Sequence, residues 1–119
     1  MTLKEYQTQA MKTCMPSCNN IAYMLTGLNA EVGEVNDKFA KAIRKEQIDI
    51  IRNNLATYHH FTPQEFKPEL AKEIGDCLWF IAGLSKVLGF NLEEIAEMNI
   101  AKLASRQQRG VIIGNGDNR

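Results

Sequence analysis

The chain has 119 residues, 45% of them apolar and 24% charged, a composition that fits one compact globular domain. Fourteen basic and fourteen acidic residues cancel to zero formal charge. That balance excludes a basic nucleic-acid binder working by counterion release and argues against a polybasic membrane anchor. Near-neutrality also favours a context in which association hides some surface.

The three cysteines, Cys14, Cys18 and Cys77, are too few and odd in number for a disulfide framework. Cys14 and Cys18 have no second pair downstream, and adjacent His59 and His60 diverge on any regular element, so no zinc site is expected. A reducing, cytoplasmic compartment is the expectation. The opening Met1-Thr2-Leu3-Lys4-Glu5 has no apolar signal-peptide core, and no run approaches the roughly 20 apolar residues of a membrane span.

Helical periodicity dominates. A first helix is expected over residues 3–13, stopping before Pro16, followed by a turn with Ser17 or Asn19 as N-cap. A second, long helix covers residues 20–45. Its stripe is Ile21, Met24, Leu25, Leu28, Val32, Val35, Phe39, Ala42 and Ile43, at three- and four-residue steps. The stretch 47–58 stays undecided. Thr62-Pro63-Gln64-Glu65 reads as a capping box opening a short turn, with Pro68 starting the third helix over 68–88. Gly89 suits a left-handed C-cap. Asn91 and Glu94 form another capping box, opening a fourth helix over 92–108, and the tail from Gly110 is not helical. The fold class is therefore all-α, one domain over 1–119 built as a bundle of about four helices. Wide apolar faces on the second and third helices point to an oligomer.

Two acidic patterns carry the chemistry. Glu31-Val32-Gly33-Glu34 lies on the second helix and Glu73-Ile74-Gly75-Asp76 on the third. Residues three apart project from nearly the same side of a helix. Glu31 sits on the edge of its apolar stripe, with Glu34 further out. Glu73 falls inside its own arc, and Asp76 lies on the border. A carboxylate in an apolar arc is costly unless compensated, and four converging carboxylates repel one another. A divalent cation relieves both problems, and oxygen-only ligands favour magnesium, with manganese as substitute. The plainer reading makes the acids ordinary ion pairs with Lys38, Lys41 and Lys72. On the fourth helix Asn99, Lys102 and Arg106 follow at three- and four-residue steps, and phosphate oxygens would suit Lys102 and Arg106. The alternative is that both cations snorkel past the core. The glycine-rich tail after Arg109 contains no Walker lysine pattern.

These elements resemble the MazG-like, all-α nucleoside triphosphate pyrophosphohydrolases. The likeness covers about residues 25–119. It rests on Leu28-x-x-Glu31-x-Gly33-Glu34, then Glu69-Leu-x-x-Glu73-Ile-Gly75-Asp76-x-Leu-Trp79-Phe80, then Asn99-x-x-Lys102-Leu103-x-x-Arg106 and Arg109-Gly110. The closing Gly114-x-Gly116-Asp117-x-Arg119 looks like the ending of the small phage-type and bacterial forms.

The resemblance implies magnesium held by Glu31, Glu34, Glu73 and Asp76. It implies a small-molecule nucleotide contacted by Asn99, Lys102, Arg106 and Arg109, and dimers or tetramers whose neighbouring subunits frame the site. Ala30 stands where the family often has the first of two glutamates, which leaves the metal count open. The expected reaction is hydrolysis of a (deoxy)nucleoside triphosphate to monophosphate and pyrophosphate, with Glu31 or Glu34 managing the water and Lys102 the phosphate charge. No nucleic-acid polymer and no membrane is expected as partner. Rival readings are a non-catalytic helical interaction module, a phosphoribosyl-ATP pyrophosphohydrolase and a deoxypyrimidine triphosphate pyrophosphatase. Tyr23, Phe39, Trp79 and Phe80 are candidate stacking partners, although aromatics at helical spacing are more often core. The loop 53–67, with His59 and His60, has no assigned role.

Overall fold

The computed structural model describes residues 1–45 and 63–116. The undecided stretch 47–58, His59, His60, the Thr62 cap and Arg119 lie outside the described residues.

Four α-helices, and no strand, make up the described part: α1 (Leu3–Ala10), α2 (Ile21–Arg44), α3 (Pro63–Val87) and α4 (Leu92–Gln108). The chain is all-α, as its periodicity requires. Thr2 and Glu5 cap α1 reciprocally, and a 3-10 turn over Met11–Thr13 extends it to the expected end. The N-cap of α2 is Asn20, not Ser17 or Asn19. Pro16–Cys18 winds into its own 3-10 turn, and Asn20 then accepts from the Tyr23 amide at 2.8 Å while donating to the Ser17 carbonyl at 2.9 Å.

The expected turn before Pro68 is absent. Pro68 lies inside α3, which begins at Pro63. Proline removes one backbone donor and crowds the carbonyl four residues earlier. Here that costs little, because Pro68 is exposed near the start of a long helix and Phe66 anchors the same turn. Phe66 is buried with Ala42, its ring edge-on to Phe39 at 5.2 Å, and Leu70 packs beside them.

Both later helix ends obey their glycines. Gly89, at φ 85°, closes α3: its amide donates to the Lys86 carbonyl at 3.0 Å and that of Phe90 to Ser85 at 2.9 Å. Gly110, at φ 69°, closes α4 with the same pair of bonds, from Gly110 to Gln107 and from Val111 to Arg106. Two backbone amides folding back onto the last turn form a Schellman end, which needs a left-handed residue.

The main packing is α2 against α3. Late α2 meets early α3 through Ala42 and Phe66, and early α2 meets late α3 where Gly27 approaches Phe80 and Met24 approaches Gly83. The helices are therefore antiparallel, and each step forward on one is matched by a step back on the other. This register sets Glu31 opposite Asp76, and Lys38 opposite Glu69. A second small core joins α1 to α3 and α4 through Met11, Ala82 and Leu92, with Tyr6, Leu78 and Trp79 around it.

The buried apolar residues among those described are few: Met11, Met24, Ala42, Phe66, Ala82 and Leu92. The α2 stripe is thus less buried than its periodicity suggests. Ile21, Leu25, Val32 and Ile43 are exposed, because one partner helix covers only part of so wide a face.

Candidate active site

The antiparallel register brings three of the four predicted carboxylates together. Glu31 from α2 and Glu73 and Asp76 from α3 each offer an oxygen, and these oxygens lie within 4.8 Å of one another. Glu31 and Glu73 are half-buried, and Asp76 is exposed. Glu34, exposed one turn beyond Glu31, stands outside this trio but close enough for its charge to act on Glu31.

The electrostatics record the crowding. The Glu31 carboxyl is pushed up from its ordinary range, first by desolvation and then by Glu34, Asp76 and Glu73. Neighbouring groups feel the same field. Burial and then Asp76 raise the Tyr6 hydroxyl, and burial followed by the charges of Glu31 and Asp76 raises the Cys77 thiol. Two independent elements, α1 and α3, thus place side chains within the field of the cluster.

A lysine sits inside this arrangement. Lys38 Nζ lies 3.0 Å from Glu73 Oε1 and 3.5 Å from Glu69 Oε2, and Lys72 holds the other oxygen of Glu69 at 2.5 Å. The hydrogen bond to Glu73 is the chief reason that Lys38 is pushed up from its ordinary value, against an opposing effect of desolvation. Glu69 is lowered, chiefly by its hydrogen bond to Lys72. The plain ion-pair reading therefore holds for Glu73 on one oxygen, while the trio as a whole retains its acidic excess. The third lysine, Lys41, pairs with Asp37 away from the trio.

Beside the acids stands an aromatic group. Phe80 packs on Tyr23 at 5.8 Å and edge-on to Trp79 at 4.9 Å. Trp79 is chiefly structural: its Nε1 donates to the Ala10 carbonyl at 3.1 Å and the Thr13 hydroxyl at 2.9 Å, tying the turn after α1 to α3. Tyr23 is 42% exposed, so one face of this group reaches solvent. A cavity of about 590 Å³ lies elsewhere, where α1 meets the α3–α4 turn, and Gln7, Met11, Lys12, Lys86 and Phe90 help line it. None of the predicted site residues is part of its wall.

The residues of α4 are placed differently. Asn99, Lys102 and Arg109 are exposed, and Arg109 Nε donates to Ser105 Oγ at 3.3 Å. Arg106 is buried, with Nη2 donating to the Gly116 carbonyl at 3.4 Å, so its guanidinium holds the tail. The acidic trio is built without α4.

A profile of the MazG nucleotide pyrophosphohydrolase domain matches residues 20–111. The chain belongs to the MazG family. The match spans α2, α3 and α4 and so contains every carboxylate of the cluster. The Gene 37 protein of Mycobacterium phage L5 is 34% identical over 103 residues, covering 87% of this chain and 80% of that protein. No solved structure matches the chain. Membership in the MazG family supports a hydrolase acting on a nucleotide pyrophosphate bond, and the family generally uses divalent metals. No helix among the described residues is long and apolar enough to cross a membrane. All three cysteines are free.

Lys38 and Glu69 are the site residues that sequence reasoning undervalued. The signal was present: Lys38 lies four residues after Glu34 and Glu69 four before Glu73, so each shares a helical face with an acid of the motif.

Proposed function

We propose that this MazG-family chain hydrolyses (deoxy)nucleoside triphosphates to the monophosphate and pyrophosphate, using magnesium held at Glu31, Glu73 and Asp76 with Glu34 beside them. The observation that carries this reading is the convergence of three carboxylate oxygens within 4.8 Å from two facing helices. Such a donor set, all oxygen and partly buried, fits a hard divalent cation, magnesium or manganese. Bound there, the cation supplies Lewis-acid polarisation of phosphate oxygens and a more acidic water.

The residues of the chain do the rest. Glu34, exposed at the mouth of the trio, orients a water and takes its proton, with Glu31 beside it as second acceptor. The water oxygen forms a bond to the α-phosphorus, the bond from that phosphorus to the bridging oxygen breaks, and pyrophosphate leaves with the electron pair. Lys102 and Arg109 offset charge on the phosphates, and Asn99 hydrogen-bonds near the sugar or a phosphate. Arg106 contributes to the phosphate site if its guanidinium gives up the tail.

The working form is a homodimer or homotetramer in the cytoplasm. Exposed Ile21, Leu25, Val32 and Ile74 flank the acidic motifs on α2 and α3, and a second copy that covers them can bring its own α4 toward the trio.

The test is a panel of canonical and modified nucleoside triphosphates with magnesium, the products separated by chromatography, using wild type and Glu73→Gln. Monophosphate with pyrophosphate from wild type, lost in the variant and on chelation, is the expected result. Diphosphate with orthophosphate would overturn attack at the α-phosphorus. No turnover, together with a melting temperature unmoved by magnesium, would favour a non-catalytic helical interaction module.

A further inference from the structure

We infer that Lys38 is the resident counter-cation of the acidic cluster: it holds Glu73 while no metal is bound and passes to Glu69 when a divalent cation loads. The inference rests on the metal reading of the trio given above.

Lys38 Nζ contacts Glu73 Oε1 at 3.0 Å, and Glu73 is one of the three residues whose oxygens converge. The Glu73 side chain is only 13% exposed, so water replaces a lost partner poorly there. A carboxylate so placed is stabilised by a nearby cation, and among the described residues Lys38 supplies it at 3.0 Å. An ammonium and a divalent cation on the same half-buried carboxylate would repel each other strongly, because the surroundings screen less than bulk water. Loading therefore requires the lysine to withdraw.

The geometry provides the place to withdraw to. Glu69 Oε2 is already 3.5 Å from Nζ, one helical turn before Glu73 on α3, and Glu69 is 50% exposed. A lysine stem has four rotatable carbons, so the move from Glu73 to Glu69 is a rotamer change with no backbone motion. Lys72 keeps Glu69 in position on its other side. Metal uptake is thus an exchange of one cation for another. Lys38 keeps the empty site stable and sets a concentration threshold for filling it.

The experiment titrates manganese(II) into the full chain, reading free ion by electron paramagnetic resonance, for wild type, Lys38→Met, Lys38→Arg and Glu69→Gln. Melting temperatures are measured with and without the ion. Removing the competing charge in Lys38→Met is expected to tighten manganese binding about tenfold while lowering the melting temperature of the metal-free chain. Lys38→Arg keeps the charge and should bind near the wild-type level. Glu69→Gln removes the resting place and should weaken binding about two- to threefold.

Unchanged or weaker manganese affinity in Lys38→Met, with its helical circular dichroism intact, would overturn the exchange. No manganese binding by wild type is a separate failure: it removes the metal reading, and the exchange with it.

Discussion

The ring of Phe80 lies directly against the backbone of Gly27. A Cβ built on that glycine would collide with three ring carbons, and even the farthest of them, Cδ1, would be only 2.7 Å away. Gly27 is four residues before Glu31 and Phe80 four residues after Asp76, so this contact sets the spacing of α2 and α3 one turn from the trio. Gly27→Ala would gain roughly 0.5–1 kcal/mol of helix propensity. The ring has Tyr23 and Trp79 against it, so relief comes by spreading the helices, at about 1–3 kcal/mol. The variant should be less stable by roughly 1–2 kcal/mol in urea unfolding and should bind manganese more weakly. Gly33→Ala, on the same helix with nothing within 4 Å of its added carbon, should instead gain stability. Equal shifts in the two variants would show that Phe80 does not fix the spacing.

The crowded Glu31 carboxyl makes the stability of the chain depend on pH. That carboxyl is pushed above its ordinary value of 4.5, first by desolvation and then by Glu34, Asp76 and Glu73. The folded chain therefore keeps a proton that the unfolded chain has already released. The resulting stabilisation is full below 4.5 and is lost as pH climbs through the raised value. In chelator-treated protein, Glu31→Gln should gain stability relative to wild type as pH rises from about 4.5, and manganese should narrow the difference by stabilising the wild type. Denaturant midpoints that run parallel for the two proteins across this range would contradict it.

The division of labour among the acids is testable through binding and turnover together. Asp76→Asn removes an oxygen of the trio and should lose manganese binding and activity in parallel. Glu34→Gln, outside the trio, should keep most of the manganese affinity while kcat falls by about 100-fold or more. Equal loss of metal by both variants would make Glu34 a ligand like the others.

Gln7 offers a prediction free of the chemistry. This buried amide donates to the carbonyls of Ala82 at 2.9 Å and Phe90 at 3.2 Å, and its oxygen accepts from the Leu92 amide at 3.0 Å. The Leu92 amide is one of the donors that a helix start leaves unpaired, so the side chain of α1 satisfies the first turn of α4. Gln7→Ala strands these groups and should cost about 2–4 kcal/mol in thermal or urea unfolding. A loss below about 0.5 kcal/mol would mean that water replaces the amide without penalty.

Local chemistry was the legible part of the sequence. The Asn91–Glu94 box formed as its spacing implies, each side chain bonding the other's backbone amide at 2.9 and 2.8 Å, and Gly89 took the left-handed turn. The Thr2–Glu5 box has the same three-residue spacing and forms the same reciprocal pair of bonds. Pro68 misled, because proline opens a helix or sits within its early turns at little cost, and only the burial of Phe66 against Ala42 decides between the two. Glu31, Glu73 and Asp76 could be put on the right faces by spacing alone. Their meeting, and the exclusion of Glu34 from it, depends on the α2–α3 register, which Phe80 on Gly27 and Met24 on Gly83 fix over long range. Arg106 illustrates the remainder: its place on the α4 face suited a phosphate, yet within the chain it holds Gly116.

The bonds of Gln7 span 75 to 85 residues of sequence. During synthesis, α1 can dock on α3 once Trp79 and Ala82 are free, but its bond to the start of α4 must wait until Leu92 has left the ribosome. The α2–α3 pairing, and with it the acidic trio, can form before that moment. The α1 anchorage is thus completed after the acidic trio, and a chain arrested short of α4 would carry its carboxylates assembled beside an α1 held by α3 alone.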